Sequence, residues 1–114
     1  MNNDNERRVY RRSDGFHCEA RVSRDKSQWL DAKVYDLSGQ GIKFQTDGPF
    51  HVDEVVWLEL NVTGFLTSFE FIAKGVIRRK DKDVFGASFE DLSDDVMIHI
   101  DEATRNLEPK HILY

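Results

Sequence analysis

A single cysteine, Cys18, is all the thiol in this 114-residue chain, so no disulfide can form within it. A lone thiol suits a reducing compartment. Long apolar runs are missing too. The strongest, Val55-Val56-Trp57-Leu58, is far short of the about 18–20 residues that cross a bilayer. The opening Met1-Asn2-Asn3-Asp4-Asn5-Glu6 offers no apolar stretch for a secretory signal. These features lead to the expectation of a cytoplasmic protein without membrane insertion.

Catalytic signatures are equally scarce. No Gly-x-Ser-x-Gly elbow, P-loop or Gly-x-Gly-x-x-Gly fingerprint occurs. The four histidines, His17, His51, His99 and His111, include no pair at the i, i+4 spacing of a helical metal site. His17 and Cys18 are neighbours on a predicted strand, which sends their side chains to opposite faces. Cys18 falls on the apolar face, where nothing would stabilise a thiolate, and reads as a buried structural thiol. The expectation is a chain with no catalytic residue, no metal and no cofactor.

Positive charge is in deficit, with a net charge of −5. That argues against a nucleic-acid binder, which needs a basic footprint. The distribution is uneven, however. Residues 1–12 carry four arginines, Arg7, Arg8, Arg11 and Arg12, against Asp4 and Glu6. Residues 90–114 carry seven acids against Arg105 and Lys110. A concentrated basic patch on an acidic protein suits a small anionic ligand better than a long polyanion.

What the chain has is a core. Hydrophobic residues make up 39% of it, including 8 Phe and 2 Trp, enough for one compact domain at this length. Residues 1–15 lack apolar periodicity and are expected to form a flexible arm, with the folded domain over 16–114. Period-2 alternation then begins, with Phe16, Cys18, Ala20 and Val22 on one face. Leu30, Ala32 and Val34 repeat the pattern up to about Asp36, and Ile42-Lys43-Phe44 resumes it after a glycine break. Residues 53–62, 68–80 and 84–90 complete six short strands, an antiparallel barrel or sandwich.

The period changes at the end. Ser93 is a helix cap with Asp94 and Asp95 in the first turn, where the helix dipole favours acids. Val96, Met97, Ile100, Ala103 and Leu107 line one face, and Pro109 stops the helix.

Two segments carry chemistry. Arg7-Arg8-Val9-Tyr10-Arg11-Arg12 sets four guanidiniums within six residues. Its plain reading is a solvated charge run. Yet arginine also holds phosphate bidentately, stacks on bases and matches the O6/N7 edge of guanine. Asp36-Leu37-Ser38-Gly39-Gln40-Gly41 joins two strands. It reads plainly as a turn, but a carboxylate and a hydroxyl so placed can accept guanine N1–H and N2–H₂, and Gly41 lets a ligand approach. Asp91-Leu92-Ser93 repeats the tripeptide without the glycine and serves the helix cap.

Glu6-Arg7-Arg8-x-x-x-Arg12, followed 24 residues later by Asp36-x-Ser38-x-x-Gly41, resembles the two signature motifs of PilZ domains. Phe85-Gly86-Ala87-Ser88-Phe89-Glu90-Asp91-Leu92-Ser93 resembles that family's last barrel strand and the start of its helix. The resemblance implies an all-β fold, a six-stranded antiparallel PilZ-type barrel with a C-terminal helix. It also implies a non-catalytic cyclic di-GMP receptor that works with a downstream protein partner. By position, Arg8 and Arg12 would hold phosphate and guanine, Arg7 would precede the pair, and Asp36, Ser38 and Gly41 would surround a base. Arg7/Arg11 has the same spacing as Arg8/Arg12, so Arg11 stays a candidate and the register is open. An arginine before the pair accompanies a stacked ligand dimer in similar domains, which implies room for two molecules. The rival expectation is an adaptor of the same fold that binds no nucleotide.

Overall fold

The computed structural model describes residues 9–11, 17–63 and 68–105. Seven strands and a helix follow in chain order. The strands are β1 (Val9–Arg11), β2 (His17–Ser23), β3 (Leu30–Leu37), β4 (Gly41–Gln45), β5 (Val55–Thr63), β6 (Ser68–Asp81) and β7 (Val84–Glu90). The helix is α1 (Asp94–Arg105). Each of the six expected strands is present, with ends within two residues of those the alternation gives.

β2, β3, β4, β7, β6 and β5 pair antiparallel in that order. β5 then pairs back onto β2, from His17↔Thr63 to Ser23↔Trp57, and closes a six-stranded barrel. Closure gives every barrel strand a neighbour on both sides. β1 is a strand that composition did not indicate. β3 keeps its ladder with β2 only at Ala20–Val22, and β1 takes the edge that remains, from Val9↔Glu19 to Arg11↔His17. It also lies against β3.

The apolar face of each strand turns inward. Cys18, Ala20 and Val22 of β2 face Val56, Leu58, Leu60 and Val62 of β5, all buried. Phe44 and Phe85 stack with ring centroids 5.7 Å apart, and Phe50 meets Phe85 edge-on at 5.9 Å. Burying each such side chain contributes about 1.5–3 kcal/mol, so these strands are held by the barrel interior.

α1 starts as the sequence indicates: the Val96 N–H donates to Ser93 Oγ at 3.2 Å, and Asp94 and Asp95 occupy the first turn. Ile100 and Ala103 are buried, while Leu92 and Val96 pack against the core. The exposed His99 sets its ring 5.5 Å from Phe69 at the start of β6. α1 thus sits at the barrel end where β3 finishes and β6 begins. Among the described residues no helix is long and apolar enough to cross a membrane. Leu107 and Pro109 lie outside the described residues.

Candidate ligand-binding groove

Strict alternation puts Leu30, Ala32 and Val34 on one side of β3, which would send Asp36 into the core. A β-bulge prevents that. The β3–β4 register shifts between Val34 and Asp36, so Tyr35 and Asp36 are both exposed and Leu37 returns to the interior. A second bulge lies between Ile77 and Arg79 of β6, opposite β7, and leaves Arg78 and Arg79 both exposed. Bulges re-aim side chains in this way by inserting one extra residue on one strand. The two lie on either side of the β4–β7 pair.

Between them, on the outer barrel surface, runs a groove of 1070 Å³. Its floor has small residues, Gly41, Gly86 and Ser88, where β4 pairs with β7. One wall carries Asp36 and Ser38, the other Arg78, Arg79 and Lys80. With Lys43, the lining has four cations against two carboxylates, Asp36 and Asp81. On a chain of net charge −5 this is a local reversal of sign. The Arg78 guanidinium is held flat across β7: Nε donates to Ser88 Oγ at 2.9 Å, and a second nitrogen lies 3.6 Å from Glu90 Oε2.

The turn that carries Asp36 and Ser38 is tightly specified. Ser38 N–H donates to Gly41 O at 3.0 Å, and Gln40 N–H donates to Ser38 Oγ at 3.2 Å. Asp36 Oδ1 accepts the Leu37 N–H at 3.0 Å. Gly39 is buried and donates its N–H to Asp101 Oδ1 of α1 at 3.0 Å. Gly41 has a packing reason of its own, because a Cβ there would stand 2.5 Å from Ala87 O on β7.

Asp36, Ser38 and Gly41 therefore line the groove together. Arg7, Arg8 and Arg12 lie outside the described residues. Arg11 ends β1, paired with His17 at the start of β2. Since β3 runs antiparallel to β2, that is the barrel end at which the Asp36 turn sits. Tyr35, Lys43, Arg78, Arg79, Lys80 and Ser88 were not singled out by sequence reasoning. A signal was available: in β6, alternation through Ala73, Gly75 and Ile77 would turn Arg79 inward, and a cation at such a position marks a bulge.

The rest of the described surface offers less. A smaller groove of 530 Å³ is lined by Arg24, Pro49, His51, Val52, Asp53 and Glu54. Its principal charges are spent on each other, since Arg24 pairs with Glu54 and holds that carboxyl below its usual range. Cys18 is 0% exposed, and burial, with Glu19 nearby, raises its pKa to about 12. It is the buried structural thiol that its strand face indicated. No three His, Cys, Asp or Glu side chains converge as metal ligands among the described residues.

What the groove can do follows from its lining: accept hydrogen bonds on the turn side, and bind anionic oxygens or stack on guanidinium on the other. Polar, rigidly positioned groups of both kinds suit a phosphorylated heterocycle. A search of curated proteins returned no match. The family model of the PilZ domain, in contrast, matches residues 6–106, so the chain belongs to the PilZ domain family.

Proposed function

We propose that this protein is a cytoplasmic cyclic di-GMP receptor and adaptor. PilZ domains are in general cyclic di-GMP-binding receptors rather than enzymes, and the match spans nearly the whole chain. The observation that carries the reading is the groove between the two bulges, where Asp36 and Ser38 face a cationic wall. Asp36 and Ser38 accept the N1–H and N2–H₂ edge of a guanine. Phosphate oxygens are taken by the arginines of the N-terminal segment, Arg7, Arg8, Arg11 and Arg12, with Arg8 and Arg12 as the principal pair.

In this reading the arm is an ordering switch. Four neighbouring guanidiniums repel one another, and a dianionic ligand neutralises them and draws Arg7, Arg8 and Arg12, which flank the already paired β1, toward the Asp36 turn. Ordering costs conformational entropy, which keeps affinity moderate despite many charged contacts. The rearranged surface is then what a downstream protein partner reads.

Calorimetric titration with cyclic di-GMP, cyclic di-AMP and GTP tests the proposal. Cyclic di-GMP alone should bind, with moderate affinity, and Arg8→Ala or Arg12→Ala should each weaken it about tenfold to a hundredfold, the loss of one charge-assisted bond. Absence of binding at millimolar ligand would refute it and favour a nucleotide-independent adaptor.

A further inference from the structure

We infer that Asp101 is the mechanical link between the Asp36–Gly41 turn and helix α1, so that occupancy of the groove is relayed to the helix. The inference deepens the proposed function and rests on it for the identity of the ligand alone. Gly39 and Asp101 are 62 residues apart, yet the Gly39 N–H donates to Asp101 Oδ1 at 3.0 Å. Gly39 is buried beneath that carboxylate, and a Cβ on it would lie 2.9 Å from the same oxygen. The contact is therefore close as well as polar. A hydrogen bond from a backbone N–H to a carboxylate is charge-assisted, and losing it strands a buried donor.

Both ends of the link are firmly set. Ser38, next to Gly39, lines the groove, so a ligand on Ser38 acts one residue away from the donor. Asp101 follows the fully buried Ile100, and its carbonyl accepts from Thr104 Oγ1 at 3.3 Å. The turn is also fastened to β7, where Phe89 N–H donates to Gln40 O at 2.9 Å, and β7 leads through Asp91-Leu92-Ser93 into α1. Turn, strand end and helix thus form a closed circuit, with the Gly39–Asp101 bond as its side-chain closure. Coupling through such a circuit is reciprocal: whatever steadies the turn steadies the helix, and the reverse.

Hydrogen exchange read by mass spectrometry on the full chain tests the link with and without ligand. Without ligand, Asp101→Ala should speed exchange at 38–41, and Gly39→Ala should speed it across 94–105. Asp101→Asn should stay close to wild type, because its amide oxygen still accepts the same N–H, though without the charge assistance. With saturating cyclic di-GMP, exchange across 94–105 should slow in wild type and Asp101→Asn but not in Asp101→Ala. Affinity in Asp101→Ala should fall about five- to tenfold, at the low end of allosteric couplings. Unchanged exchange at 38–41 in unliganded Asp101→Ala, or a wild-type helix response to ligand in that variant, would overturn the link. If wild type binds no cyclic di-GMP, the proposed function fails, and the unliganded comparison alone decides the coupling.

Discussion

Tyr35 and Asp36 are consecutive residues of one strand, yet both are exposed and both line the same groove. The bulge between Val34 and Asp36 is what places them together, and without it the carboxylate would face the barrel interior. Asp36 therefore contributes to the site and little to the core. Among the described residues, the hydrogen bond it accepts is from the adjacent Leu37 N–H. Asp36→Ala should weaken cyclic di-GMP binding about tenfold or more, while the unliganded stability changes by no more than a surface substitution allows, about 0.5 kcal/mol. Calorimetry paired with thermal melts separates the two effects.

Arg78 and Arg79 form the opposite wall, and Arg78 is already oriented by Ser88 and Glu90. Arg78→Ala and Arg79→Ala should each reduce affinity about tenfold to a hundredfold, as for removal of a charge-assisted contact. Arg78→Lys should not restore it, since an ammonium lacks the planar fork and the stacking face. Titrations at two salt concentrations should show a shallower salt dependence in the alanine variants than in wild type.

The groove's two floor glycines should part company when replaced. A Cβ on Gly41 would meet Ala87 O at 2.5 Å, so Gly41→Ala forces β4 and β7 apart. The cost should be about 1–3 kcal/mol, with a melting temperature lower by about 4 °C for each kcal/mol. A Cβ on Gly86 would have only ordinary contact, 3.6 Å from Arg79 Cβ. Gly86→Ala should fold with unchanged or slightly greater stability, yet bind ligand more weakly because the methyl group raises the groove floor. Melts and titrations of the two variants together check this.

Cys18 gives a pH signature. Its thiol is pushed up to about 12 by burial, so the neutral form is favoured in the fold. A group raised on folding stabilises below its unfolded pKa of about 8.5. That stabilisation should be lost as pH rises from there through the folded value. In native buffer at pH 8 a thiol reagent should leave Cys18 unmodified, and denaturant should expose it at once. Cys18→Ser should flatten the alkaline limb of the stability profile.

The sequence made the scaffold legible where local patterning decides it. Alternation through Cys18, Ala20 and Val22 set β2, and Ser93 with Asp94 and Asp95 set the start of α1. Asp36, Ser38 and Gly41 were found as a turn with chemistry, and they do share one groove. The cationic wall was not found, because Arg79, at an inward position of the expected 68–80 strand, signals a bulge only when its charge is set against the alternation. Nor could local pattern join Gly39 to Asp101, a contact set by packing across 62 residues. β1 was hidden for a similar reason: a three-residue strand forms only because β3 leaves part of the β2 edge open.

Amide chemical shifts recorded during a cyclic di-GMP titration locate the ligand directly. The groove between the bulges predicts the largest changes at 35–43 on one wall and at 78–80 and 86–88 on the other. Changes centred on Arg24, His51 and Glu54, or no changes at millimolar ligand, would contradict it.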